Sequence, residues 1–434
     1  MIAGKLSRRK LLRTSALGTL GALSTFYGPW KHNRVYAQAT DKPILIGLTS
    51  DASGQFANSG ASDRRGMLMA IQEFNDAGGV LDRQVETIHI DTESNPATGS
   101  RVAERMITRN EVAFLSGALS SGVANAIGQV AQKYGVVFLN TNSSSPTEAG
   151  ENCHRTKFVW DGNGTNFAQA AVKSAMETYG DQWLLLTNDY VWGHNTSAAT
   201  RKLVDEFGGT IIDELMVPQG TRDFTSYLLT VQQTQPHVVA AAVAGDDQKA
   251  MRQQVAELGM GESPVWLNNQ QDWPDNYGLP LDNLFGIFGT TWYYKLDLPG
   301  VAEFVERYRA TYPDTAMRSP GNVFYNGYMA MRELLRAVER AGSTNNIAVI
   351  KALEGLQMPA EERMQHHDAY IHPDTHQVQQ TIYLATANDK AAWEKDNDDL
   401  FKIVAREPPD AIMDQASVET CKLESYEDTP TYEQ

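Results

Sequence analysis

From Pro43 onward, short apolar runs alternate with longer stretches whose apolar positions recur at helical spacing. Ile44, Leu45, Ile46 and Leu48 form the first run, which predicts a buried strand. Met67, Ala70, Ile71 and Phe74 then mark one face of a helix over 62–77, and Gly78-Gly79 ends it. The same reasoning predicts strands over 85–90, 113–116, 136–140, 183–187, 210–217, 238–244 and 265–267. It predicts helices over 98–109, 123–134, 166–179, 197–207, 224–233 and 248–258. Short strands joined by helices imply βαβ units, parallel sheets and an α/β fold. Right-handed crossovers then gather the loops at the strand C-terminal ends along one edge of each sheet.

Three polar loops fall at such ends. The first runs from Thr49 to Gly60 and includes Ser59. The second runs from Gly117 to Gly122 through Ser120 and Ser121, and the third from Asn140 to Pro146 through Asn142, Ser143 and Ser144. Ligands of open α/β sheets bind at this edge. Two of the loops lead into helices, where hydroxyls and free N–H groups welcome an anion. Ser and Asn are also ordinary helix caps and turn residues. One such loop means little, whereas three on one edge favour a binding site.

The N-terminus changes the setting. Ser7-Arg8-Arg9-Lys10-Leu11-Leu12-Arg13 is a twin-arginine export signal, and Ala37-Gln38-Ala39 is a small-x-small cleavage pattern. The apolar run between them, 15–26, is broken by Gly18 and Gly21 and is too short to span a membrane. The expected mature chain starts at Thr40 and works in the periplasm. Removing residues 1–39 takes away seven of 37 basic residues and none of 53 acidic ones, moving the net charge from −16 to −23. That balance excludes a nucleic-acid partner, which needs a basic footprint, and docking on an anionic membrane. The remaining length suffices for two cored domains. Only Cys153 and Cys421 occur. In an oxidising compartment a disulfide between them is favoured over two separate thiols.

The order of short motifs resembles the periplasmic solute-binding proteins of the Leu/Ile/Val type that serve ATP-driven importers. The motifs begin with Ile46-Gly47-Leu48-Thr49-Ser50, Ser53-Gly54 and Gly60. Gly66, Ala70-Ile71, Phe74-Asn75 and Gly78-Gly79-Val80 follow, then Asp91, Pro96, Gly117, Ser120-Ser121 and Pro146. Asn188-Asp189-Tyr190-Val191-Trp192-Gly193, Asp223-Phe224 and Ala244-Gly245-Asp246 complete the series. The resemblance covers 43–387. It implies a two-lobed type I periplasmic binding fold, each lobe a mostly parallel sheet flanked by helices, with three interlobe crossings. The expected lobes are 41–163 plus 292–368, and 164–291 plus 369–400, followed by an acidic tail over 401–434. Hinge closure around a ligand that touches both lobes is the implied mechanism.

Residue by residue, the resemblance places Ser121, with Ser120, at the ligand's carboxylate. Asn142, Ser143 and Ser144 fall at its polar end, Tyr190 over it, and Ser59 where an aromatic often meets the ligand side chain. Amino-acid binders often carry a tyrosine near Ala244 and a glutamate near Gln270 to receive the ammonium group. Here Asp246, Asp247 or Asp272 has to supply that charge, Asp246 foremost, or the ligand has no ammonium. An amide, a urea-like compound or a small carboxylic acid is then the alternative. The implied partner is an importer permease, the expected state a monomer, and no cofactor or catalytic set is expected. A sensor of the same fold is the second reading, and an enzyme on the scaffold the third. Four of nine histidines lie within 366–376. His372 and His376 have metal-site spacing, but Pro373 interrupts any helix, so a solvated hairpin is expected there. Trp160, Trp192, Trp266, Trp273 and Trp292 fall near loop edges, where core packing is the ordinary role of each. The tail either packs along a lobe through Cys421 or frays.

Overall fold

The structure is a computed structural model that describes residues 42–434. The export signal and the cleavage after Ala39 lie outside the described residues. The first sheet contains β1 (Ile44–Leu48), β2 (Val85–His89), β3 (Phe114–Gly117), β4 (Val137–Asn140) and β5 (Lys157–Val159). Its order is β2-β1-β3-β4-β5, and every pair is parallel. Strand alternation decides which side chain faces which helix layer. Ile44, Ile46 and Leu48 point into one core with Val137 and Leu139. Leu45 and Phe138 point into the opposite one, under α2 (Pro96–Thr108) and α3 (Ser121–Tyr134).

The second sheet begins with β6 (Gln182–Asn188), β7 (Thr210–Val217), β8 (Val238–Ala242), β9 (Val265–Asn268) and β10 (Ile287–Thr290). Trp183 and Leu185 face the helices α4 (Gly164–Tyr179) and α5 (Val191–Glu206). Leu184 and Leu186 face α6 (Thr225–Thr234) and α7 (Gly245–Glu257). After the short α8 (Trp273–Asn276), which precedes β10, and α9 (Val301–Thr311), which follows it, the chain returns to the first sheet, whose other flank receives α10 (Asn322–Ala341) against α1 (Ala57–Asp76). A small sheet of β11 (Gln357–Met358), β12 (Ala369–Ile371) and β13 (Val378–Gln379) joins the same core. Only then do β14 (Ile382–Ala387) and β15 (Phe401–Glu407) extend the second sheet, to the order β15-β14-β10-β9-β8-β6-β7.

Two boundaries differ from expectation. The change of sheet expected at 369 comes after Gln379, because β12 and β13 pair with β11 in the small sheet and the second sheet resumes only with β14. The tail does not begin at 401. Residues Phe401–Glu407 pair antiparallel with β14 as an edge strand. Beyond it the chain crosses a fourth time. Ile412 lies in the second lobe's core, Ser417 donates to the Pro146 carbonyl at 2.9 Å, and Cys421 is bonded to Cys153. The last residues strap the first lobe, where the Tyr432 hydroxyl donates to the Val112 carbonyl at 2.8 Å.

The histidine stretch also departs from a fully solvated hairpin. His376 is buried, stacks on Phe158 at 4.3 Å and contacts Glu354 at 2.9 Å. Among the described residues, no group of three or more His, Cys, Asp or Glu side chains is placed to hold a metal ion.

Candidate functional site

The strand ends of both sheets meet across a narrow cavity with about 20 Å³ of free space. Phe56 and Leu119 reach it from the loops after β1 and β3, and Asn142 and Ser144 from the loop after β4. From the second lobe come Tyr190 and Trp192 after β6, Ala244 and Gln248 after β8, and Gln270, Asp272 and Asp275 after β9. This is the strand edge at which α/β sheets bind ligands.

The walls are held across the cleft by hydrogen bonds. Ser144 Oγ donates to Gln270 Oε1, and Gln270 Nε2 donates to Asp161 at 2.7 Å. Gln55 Nε2 donates to the Ala244 carbonyl at 2.9 Å and to Asp247 at 3.2 Å. Within the first lobe, Asn142 donates to Asp63 at 2.8 Å and accepts from Asn326 at 3.1 Å. The three rings form one wall, with centroids 6.0 Å apart for Phe56 and Tyr190 and 5.9 Å apart for Tyr190 and Trp192.

The charge on this wall is one-sided. Asp272 accepts from Asn322 at 2.9 Å. Asp275 accepts from Ser59 Oγ at 3.3 Å and from the Gly245 N–H at 3.0 Å. Burial pushes both carboxyls above the ordinary carboxylate range, and their mutual repulsion adds to it for Asp275. Asp63, behind Asn142, is pushed up to about 7 by burial, against the hydrogen bonds from Ser50 and Asn142. Burial also lifts Asp161, and the nearby Asp272 adds to it. No lysine or arginine lines the cavity among the described residues. Two wall side chains keep an unpartnered polar atom, Trp192 Nε1 and Gln248 Oε1, although both residues are at least 96 % buried, with 4 % and 1 % exposure.

The residues singled out from sequence separate into three groups. Asn142, Ser144, Tyr190 and Gln270 line the cavity. Ser59, Ser120, Ser121 and Ser143 are buried behind it. Ser121 Oγ lies 2.9 Å from Ser143 Oγ, and the Ser143 hydroxyl donates to the buried Glu148. Ser59 supports Asp275 instead of facing the cavity itself. Asp246 lies outside, paired at 3.1 Å with the exposed Arg222, because the first turn of α7 turns its side chain to the surface. The acidic groups of the wall are Asp272 and Asp275. Phe56, Leu119, Gln248 and Asp275 were missed. Phe56 and Leu119 stand in the very loops that polarity marked, but apolar residues in a polar loop carry no signal of their own. Of the five tryptophans singled out from sequence, Trp192 lines the cavity, while Trp160, Trp266, Trp273 and Trp292 are core residues.

Comparison with known proteins agrees with this architecture. A Leu/Ile/Val-binding protein homolog 6 from Brucella suis biovar 1 (strain 1330) is 22% identical over 365 residues, covering 81% of this chain and 90% of that protein. An amino acid ABC transporter substrate-binding protein from Pseudomonas fluorescens Pf-5 superposes with a TM-score of 0.79 at 21% identity, over 88% of this chain and 99% of that one. A solute-binding protein from R. palustris in complex with benzoate gives 0.75 at 18% identity, over 86% and 99%. These structures share the type I periplasmic binding fold. The model of the periplasmic binding protein family matches residues 43–392, most of the chain, and the protein belongs to that family.

Proposed function

We propose that this protein captures a small polar solute between its lobes in the periplasm and delivers it to the permease of an ATP-driven importer. One observation carries the reading: the cavity takes its walls from the strand ends of both sheets, so a solute in it touches both lobes at once. Such contact favours the closed arrangement over the open one, and closure is what a transporter can sense. The relatives named for Leu/Ile/Val, amino acids and benzoate bring amino acids and aromatic acids into consideration as solutes. Asn142, Ser144, Tyr190 and Gln270 are the proposed contacts among the residues singled out from sequence. Export by the twin-arginine route with cleavage after Ala39 fits the disulfide, which an oxidising compartment preserves.

The test is a thermal-shift screen of small solutes against the mature chain, followed by calorimetry on Asn142→Ala and Gln270→Ala, one from each lobe. A solute at roughly 1,000 times its dissociation constant stabilises by about 4 kcal/mol. Both variants are expected to weaken the same solute. A solute weakened by neither would place binding elsewhere. N-terminal sequencing of the exported protein is expected to start at Thr40.

A further inference from the structure

The cavity wall presents two buried carboxyl groups whose partners are all neutral. Asn322 serves Asp272, and Ser59 and the Gly245 N–H serve Asp275. Burying negative charge without a positive partner is expensive, and a ligand cation removes that cost. Phe56, Tyr190 and Trp192 line the same cavity, and aromatic faces attract cations. Gln248 Oε1 is a buried acceptor without a donor, and Trp192 Nε1 a buried donor without an acceptor. An N–H-bearing cation satisfies the first, and a hydroxyl, carbonyl or ring face on the same molecule satisfies the second.

A ligand carboxylate, in contrast, finds nothing positive. No basic side chain lines the cavity among the described residues, and Lys249 acts on Asp275 only through its field. The Ser121 hydroxyl is already taken up with Ser143 in the network around Glu148. Burial raises the pKa of that internal carboxylate, and the buried Lys157 opposes the rise through its field. A solute with a free carboxylate would therefore bring a further negative charge beside two buried carboxyl groups that already disfavour each other's ionisation.

Resting on the capture reading above, we propose that the solute is a small organic cation, an ammonium or amidinium on an apolar or aromatic body. Its charge is set against Asp272 and Asp275, and its body lies against Phe56, Tyr190 and Trp192. This departs from the zwitterionic amino acids that the resemblance suggests.

Sets of compounds matched in shape and differing in charge test it. Benzamidine, phenethylamine and choline are the cations. Benzamide and phenethyl alcohol are neutral counterparts, leucine and phenylalanine are zwitterions, and benzoate is the anion. The mature chain is melted with each, and affinities are measured by calorimetry. At least one cation is expected to raise the melting temperature by several degrees while its neutral counterpart does not. The double variant Asp272→Asn/Asp275→Asn, checked for folding by circular dichroism, is expected to bind that cation at least about tenfold more weakly. No stabilisation by any of the cations overturns the inference, as does equal affinity in the double variant. Stabilisation by benzoate, benzamide or a zwitterion alone, lost in Asn142→Ala, also overturns the cation but leaves interlobe capture standing. No stabilisation by any compound counts against both.

Discussion

Asp275 illustrates how a site residue is set by its neighbours. Burial and the adjacent Asp272 raise its pKa, so the folded chain holds its proton more tightly than the unfolded chain does. The sign follows. Stability from this group is full below the ordinary carboxylate value near 4 and is lost as pH rises through the raised value. Asp275→Asn keeps an acceptor for the Gly245 N–H and removes the titration. The variant is therefore expected to gain stability relative to the parent as pH rises from about 4 to 8, by about 1–3 kcal/mol at the top of the range. Urea denaturation at four pH values checks it, and the difference between the two proteins cancels the histidines that titrate in the same window. A difference that does not change with pH would show that Asp275 is not the strained group.

At this scale sequence was a partial guide. Asn142, Ser144, Tyr190 and Gln270 were legible because polar residues at strand ends have a known direction. Ser121 and Ser143 occupy the same loops but turn inward to Glu148, a contact that no local pattern announces. Asp246 and Asp275 are both acidic residues after a strand. Only the three-dimensional course of the segment after β9, which brings the Trp273 N–H to within 2.9 Å of Asn322 Oδ1, puts Asp275 inside and leaves Asp246 outside.

Among the elements, type and order followed the hydrophobic pattern closely, and helix starts did not. The apolar stripe predicts a first helix from 62, whereas α1 begins at Ala57. Residues 57–61 are small or polar and carry no stripe. What holds them is close approach: a Cβ on Gly60 would stand 1.9 Å from the Asp51 carbonyl oxygen. The same device recurs in α5, which begins at Val191 instead of 197, where a Cβ on Gly193 would stand 2.0 Å from the Asn188 carbonyl oxygen. Helices that open onto the cleft are thus fixed by backbone contact with the preceding strand end, which periodicity does not see.

The crossing of α1 and α10 uses the same principle, since a Cβ on Gly66 would lie 2.1 Å from the Phe324 carbonyl oxygen. Gly66→Ala is expected to push the helices apart and destabilise by about 1–3 kcal/mol, and by more if the crossing cannot give. It should also loosen the Asp63–Asn142 contact behind the cavity. Chemical denaturation and solute affinity measured together check this, and an unchanged midpoint would show that the crossing is slack.

For the whole molecule, the parallel parts of the two sheets were legible from alternation, and the lobed arrangement from the resemblance. The fourth crossing was not. The acidic run before it hid β15, whose outward side chains are Lys402, Val404 and Arg406 while Phe401 is buried against Phe288. The Cys153–Cys421 bond closes a span of 268 residues and pins the returning strap to the first lobe. Glu424 adds hydrogen bonds from the Arg155 N–H and side chain at 2.8 Å each, and Tyr426 lies under the Arg155 guanidinium. Cys421→Ser is expected to cost about 2–4 kcal/mol and to open the strap after Glu407 to protease. Limited proteolysis of the oxidised parent and the variant should separate them, and identical cleavage would mean that the hydrogen bonds alone hold the strap.

The central claim is that a small solute is caught between the lobes by residues of both. The most direct measurement is the crystal structure of the mature protein with the solute that stabilises it. The account predicts density in the cavity that touches Asn142 or Ser144 on one side and Tyr190, Gln270 or Asp272 on the other. Density bound to one lobe alone, or on an outer face with the cavity unchanged, would contradict it.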